Sequence, residues 1–325
     1  MKRILKLVFV AGVFAAGMLA LLSIGSEDEP VQASRSSAPG TGSTVYLPVI
    51  ALAPTPTPTP IPPPTPPPPD WLVYLNSVRG LGNLPQVTAN AAWSADAYNH
   101  SAYVVQNDDW ASFAYGILTG DYQFRKDRWA IDQWIVAPFH GIQMIDSRLT
   151  QTGFGSYRQS KSGIQMAATL DVLRGRSGSP LPGVSYPVMW PANNKTVPYT
   201  YYPGGEYPDP GTHCAGYGGM PIYLQLGPGN VTPGMQDAAL WHDGQRLATC
   251  WFDENVYYNP DDTARDLGRS ILHERSAVIL MPRDALTPGW GYTVQFVNNG
   301  TMYSWYFTVS DAAATAPQKP AGIIR

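Results

Sequence analysis

The pattern of apolar and polar positions changes character along the chain. Residues 7–25 form an uncharged apolar run, preceded by Lys2, Arg3 and Lys6 and followed by Glu27, Asp28 and Glu29. With the small-x-small site at Val31-Gln32-Ala33, this predicts an export signal over 1–33, either cleaved or kept as an anchor. Residues 34–69 pass from a Ser-rich stretch into a Thr-Pro repeat and a proline run. Proline removes amide donors and fixes φ, so this segment reads as an extended, semi-rigid spacer without a ligand of its own.

From Asp70 the period becomes helical. Asp70 can cap a helix with Leu72, Leu75 and Val78 on one face, ending at Gly80 and Gly82. A second helix is expected over about 90–106, with Trp93, Ala97, His100 and Val104 on one face, and a third from Asp127 to just before Pro138. Strands follow at 153–157 and 164–172, so 70–178 reads as an α+β unit. Over 184–310 short strand-like runs recur at 221–226, 236–241, 246–252 and 276–281. A hairpin then closes on Asn298-Asn299-Gly300, with Tyr303, Trp305, Phe307 and Val309 alternating. That spacing predicts an immunoglobulin-like β-sandwich, with 311–325 a loose tail.

Composition narrows the function. Charged residues make up 14% of the 325, with 32 Pro and 31 Gly, which argues against long bundles. A net charge of −3 leaves no basic field for nucleic acid. Two cysteines are too few for a cysteine-only zinc site, and in an exported chain Cys214 and Cys250 are expected to pair, closing a loop worth roughly 3–4 kcal/mol.

Several stretches resemble the CAP superfamily of cysteine-rich secretory, antigen 5 and pathogenesis-related proteins, in its bacterial form. They are Leu75-Asn76-Ser77-Val78-Arg79 with Gly80 to Pro85, the helix carrying Ala97 to Val105, Ala130-Ile131-Asp132-Gln133-Trp134, Ala137-Pro138-Phe139-His140, and Leu149 to Gly155. The resemblance covers about residues 71–175. It implies an α-β-α sandwich, so that the whole chain is an α+β protein with a CAP-like layer followed by the immunoglobulin-like one. It also implies a cleft in which two histidines and two acids hold a divalent ion. His140 falls at the second histidine. No histidine lies between His100 and His140; Ser112 stands near the place of the first, Asp121 near that of the first acid, and the second acid would fall near Ala137. The implied cleft is therefore His140, Ser112, Asp121 and Trp134, with His140 and Asp121 as the candidate catalytic or metal-binding pair. One imidazole and one carboxylate fall short of the three or four ligands a zinc ion needs.

Other candidates have bland readings beside them. No Gly-x-Ser-x-Gly elbow occurs, and His213 beside Cys214 is offset by the use of that cysteine in a disulfide. His242-Asp243 and His273-Glu274 read as surface pairs. Asp253-Glu254 and Asp261-Asp262 bracket a loop that could offer oxygens to calcium, without EF-hand spacing. Tyr199, Tyr201, Tyr202 and Tyr207 could stack on sugars or pin their own loop. The expected function is that of a secreted or surface-displayed, non-catalytic binding protein with a degenerate cleft and no cofactor. Its ligand would be an extracellular lipid, glycan or protein, and membrane contact would come through an N-terminal anchor alone. The alternatives are a metal-dependent hydrolase using His140 and Asp121, and a cell-envelope structural or adhesive protein; zinc or calcium would be the ion if any metal is bound.

Overall fold

The proline run leads directly into a helix. The computed structural model describes residues 67–109, 118–120 and 126–312; the expected signal, most of the spacer and tail, and the candidates Ser112 and Asp121 lie outside these. Helix α1 (Asp70–Gly80) begins after Pro69, whose carbonyl accepts from Leu72 and Val73. Asp70 lies inside the first turn rather than capping it, where its charge faces the positive end of the helix dipole. The helix buries Leu72, Leu75, Val78 and Arg79. Arg79 donates to the carbonyls of Pro85, Met144, Asp146 and Leu149, and Asn76 exchanges two hydrogen bonds with the Val87 backbone. The Asn-x-x-Arg opening thus ties two loops to α1 by backbone recognition. Burial pushes the Arg79 guanidinium down to about 10, against the pull of Asp146.

Strand β1 (Thr88–Ala89) precedes α2 (Ala91–Asn107), which Asn90 caps by accepting from the Trp93 amide. Next come β2 (Leu118–Gly120), α3 (Asp127–Ile135), α4 (Pro138–Met144), β3 (Gln151–Thr152), β4 (Phe154–Arg158) and β5 (Met166–Leu170). Strands β2, β5 and β4 pair antiparallel in that order. Helix α2 lies on one face through Ala97, Ser101, Val104 and Val105 rather than through the expected Trp93 and His100. A Cβ on Gly155 would stand 2.5 Å from the Tyr98 Cα, and one on Gly153 2.5 Å from the Trp93 carbonyl carbon, so the Gly-x-Gly pair lets backbone meet backbone. Phe154, between them, faces the other way and meets Trp71 of α1 and Trp134 of α3. The sheet therefore has a helical layer on each face.

The second half contains β6 (Val188–Trp190), β7 (Lys195–Val197), β8 (Ile222–Gln225), β9 (Met235–His242), β10 (Gln245–Arg246), β11 (Thr249–Phe252), α5 (Asp262–His273), β12 (Ala277–Pro282), β13 (Gly291–Asn298) and β14 (Thr301–Val309). They form two sheets, of order β6-β8-β12-β11 and β10-β9-β13-β14-β7. All pairings within them are antiparallel except β14 with β7. The Asn299-Gly300 turn has positive φ at both residues, as a tight hairpin requires. Every residue of β8 and β12 is buried. The reason is that the four-stranded sheet is covered twice: by its partner sheet, and by the α3–α4 region, where Tyr223 donates to the Ile135 carbonyl and Gln225 to that of Ile145.

Sequence texture changes near residue 180, but the core does not divide there. One hydrophobic cluster runs from Leu72 and Trp134 through Trp190 and Tyr223 to Phe307 and Val309. Polar contacts cross the same junction. Asp146 is buried and pairs with Arg148 at 2.9 Å and with Arg275 at 3.1 Å, while Arg176 reaches Glu274 at 2.5 Å. Two elements differ from the sequence reading. Pro138 opens α4 instead of only ending α3, as proline tolerates a first helical turn. Asp261, expected in a calcium loop, caps α5 by accepting from the Ala264 amide.

Candidate functional site

His140 sits in the first turn of α4, 8% exposed. Its Nδ1 lies 2.7 Å from Glu206 Oε1, and its backbone N–H donates to the same oxygen at 2.8 Å. Glu206 comes from the Pro- and Gly-rich loop of the other half of the sequence, and its side chain is fully buried. Tyr202 holds that loop in place, its hydroxyl accepting from the Glu206 amide at 3.2 Å. Burial pushes the Glu206 carboxyl above its ordinary range, and the His140 ring and the α4 amides oppose that rise. A carboxylate on Nδ1 fixes the tautomer and plane of an imidazole, which is the orienting half of an acid–base pair. Here the same oxygen also satisfies an orphan amide at a helix start, so the contact joins two loops as much as it orients a ring. Glu206 was not singled out from sequence, because a lone glutamate in a Gly-Gly-Glu-Tyr loop carries no spacing signal.

Of the implied cleft around His140, Ser112 and Asp121 lie outside the described residues. Trp134 is 1% exposed and packs edge-on to Phe154, so it belongs to the core rather than to a cleft wall. Cys214 and Cys250 form the expected disulfide, with Cα atoms 5.7 Å apart. His213 lies beside the two sulfurs, but these are bonded to each other and are not thiolates. Its Nδ1 accepts from the Tyr258 amide at 3.2 Å, and burial lowers its pKa.

The remaining polar candidates take part in local structure. Asp253 accepts from the Asn255 and Val256 amides, Glu254 pairs with His273, and Asp262 pairs with Arg265. His242 stacks on Trp290 at 3.8 Å, beside Asp243. Two of the four tyrosines of the 199–207 loop, Tyr199 and Tyr202, are buried, and Tyr199 donates to Asp132 Oδ1 at 2.9 Å. Tyr74 of α1 donates to that same oxygen at 2.5 Å. Burial and the Asp132 charge push the Tyr74 hydroxyl up to about 12; burial likewise raises Asp132, against its two hydroxyl donors.

Beside this Tyr74–Asp132 contact lies an open cleft of about 620 Å³ between α1 and the start of α3. Its volume falls in the range of small-molecule sites. Trp71, Val73 and Tyr74 line one wall along α1; Lys126, Asp127 and Arg128 line the other, and Arg158 closes one end from β4. Asp127 is taken by Arg158 at 2.6 Å and by Ser156 at 2.7 Å. The side chains of Lys126 and Arg128 are exposed and form no hydrogen bond or ion pair among the described residues, while the Arg128 charge acts on Tyr74 and Asp132. The cleft thus presents Trp71, Val73 and Tyr74 with Asp70 and Ser77 on one side, and Lys126 and Arg128 flanking Asp127 on the other. Sequence reading passed over it because its parts lie some fifty residues apart and none belongs to a catalytic motif. No protein-family model and no curated protein matches the chain.

Proposed function

We propose that this is an extracellular, non-catalytic binding protein that takes an amphipathic anion, an apolar chain with a carboxylate or phosphate head, into the cleft between α1 and α3. The observation that carries the reading is the pairing of the Trp71–Val73–Tyr74 wall with Lys126 and Arg128, whose side chains form no hydrogen bond or ion pair among the described residues. An apolar tail displaces water from the aromatic wall, and the head group meets two exposed cations at its edge. The disulfide and the N-terminal signal pattern support export.

The architecture is read as a CAP-like layer joined to an immunoglobulin-like sandwich. Helices on both faces of β2-β5-β4 support the first part. The second is supported by a four-stranded and a five-stranded sheet in immunoglobulin order, and by Tyr292 at the start of β13, whose hydroxyl accepts from the Thr287 amide five residues upstream. Titration with dodecanoate and with dodecanol, followed through tryptophan emission, tests the ligand class. The proposal expects saturable binding of dodecanoate, at least about tenfold tighter than dodecanol, and its loss in Lys126→Glu/Arg128→Glu. Equal affinity for the two, or no change on charge reversal, would overturn it.

A further inference from the structure

The outward face of the five-stranded sheet has the makings of a second, separate site. Trp241 on β9, Thr293 on β13 and Tyr306 on β14 stand in register across three strands. The two aromatic residues are therefore two strand spacings apart, about 9–10 Å. Tyr306 is 43% exposed. A Cβ on Gly291 would stand 2.5 Å from the Tyr306 Cζ and 2.7 Å from its Cε2, so the ring lies flat across the glycine. A large side chain at position 291 would tip the ring upright. With glycine there, the ring presents its π face outward.

The next row of the same face is Ala239, which is buried, with Gln295 and Ser304, neutral hydrogen-bonding groups. The charged pair at the rim, Asp237 with Arg246 at 2.6 Å, neutralises itself. A face meant for a second protein copy would carry an apolar centre with polar edges. Here Thr293, Gln295 and Ser304 lie between Trp241 and Tyr306, and the apolar Val297 and exposed Met302 form the row beyond, beside Asp237. The flat Tyr306 ring and the half-buried Trp241 indole, spaced by about two strands with hydroxyl and amide groups between them, match the apolar faces and hydroxyl edges of alternate sugar units in an extended chain.

We propose that this face is a binding platform for an uncharged, extended glycan, with Tyr306 and Trp241 as stacking residues and Gln295, Thr293 and Ser304 as hydrogen-bonding partners. The α1–α3 cleft takes no part in it. The test uses the full chain titrated calorimetrically with cellohexaose, xylohexaose and chitohexaose in turn. The expected result is saturable binding of at least one, weakened about tenfold or more by Tyr306→Ala and by Trp241→Ala. Tyr306→Phe should retain it, because the ring remains, and Lys126→Glu/Arg128→Glu should leave it unchanged. Two results would overturn the proposal: absence of binding to all three at millimolar concentration, or binding that Tyr306→Ala does not alter. Sedimentation velocity supplies a third: a dimer that Tyr306→Ala dissociates would show the face to be an interface between copies.

Discussion

Asp146 holds more positive charge than any other single residue at the junction of the two halves, and its removal should be costly. The carboxylate is buried and bonds the Arg148 guanidinium at 2.9 and 3.1 Å, with Arg275 at 3.1 Å and Arg176 at 3.9 Å. Arg275 is itself 1% exposed, and burial lowers it to about 10 despite the Asp146 charge. Asp146→Ala leaves a buried guanidinium uncompensated, and breaking a buried pair in this way costs about 3–5 kcal/mol. That is a large part of the roughly 5–15 kcal/mol by which a domain is stable, so Asp146→Asn is the safer first variant. It keeps the oxygen that accepts from the Arg148 amide at 2.9 Å while removing the charge. Urea unfolding followed by tryptophan emission should show a loss above about 2 kcal/mol for Asn. Arg275→Met with Asp146→Leu should cost less than the two single changes added together. Burial raises the Asp146 carboxyl, but Arg275 and Arg148 pull it below its ordinary value of 3.8 overall. The unfolded chain therefore takes up the proton first, so the stabilisation is complete above 3.8 and fades as pH falls through the lower folded value. Wild type and Asp146→Asn should converge in acid. A loss under about 1 kcal/mol for Asp146→Ala, or a gap between wild type and Asn that does not narrow in acid, would refute the reasoning.

Replacing Cys214 and Cys250 by serine opens a loop with a sequence separation of 36. It should cost about 4 kcal/mol by the chain-entropy relation, and because one core spans both halves, calorimetry should show a single shifted transition, not one displaced and one fixed. Asp132→Ala strips the shared acceptor from Tyr74 and Tyr199 and should lower stability by about 2–4 kcal/mol in denaturant unfolding, whereas Tyr74→Phe should cost about 1. Glu206→Ala should lower stability by about 3 kcal/mol and raise hydrogen exchange at the His140 amide, which loses its acceptor; unchanged exchange would disprove the clamp.

Helices α1 to α3 and the long strands were legible because their periodicity is strong and local. Asn90 before α2, and the Asn299-Gly300 turn with alternating aromatics around it, are signals complete within a few residues. The hairpin and the disulfide follow from such signals. Helix α5 was missed although Asp261 is a good cap, because Gly268 interrupts the stripe of Ala264 and Leu272 and the surrounding text is strand-like. Gly268 is there because a Cβ would come within 2.8 Å of the Tyr257 ring, a tertiary reason invisible to local pattern. The shared core was equally hidden: the all-apolar β12 reads as a buried strand, but nothing in it says that α3 and α4 supply the second cover. Trp134 followed the resemblance into an expected cleft, whereas its burial places it in that core. The partners of the candidate sites, Glu206 for His140 and Lys126 for Trp71, lie on different elements that only the fold brings together.

The central claim is that Lys126 and Arg128 face Trp71 across a ligand cleft, and it is tested most directly by where an amphipathic anion sits. Dodecanoate carrying a nitroxide at its methyl end, titrated against ¹⁵N-labelled protein, should broaden the Trp71 indole and α1 amide signals selectively, and Lys126→Glu/Arg128→Glu should abolish the effect. Broadening centred on another surface, or broadening of α1 that survives the charge reversal, would contradict the account.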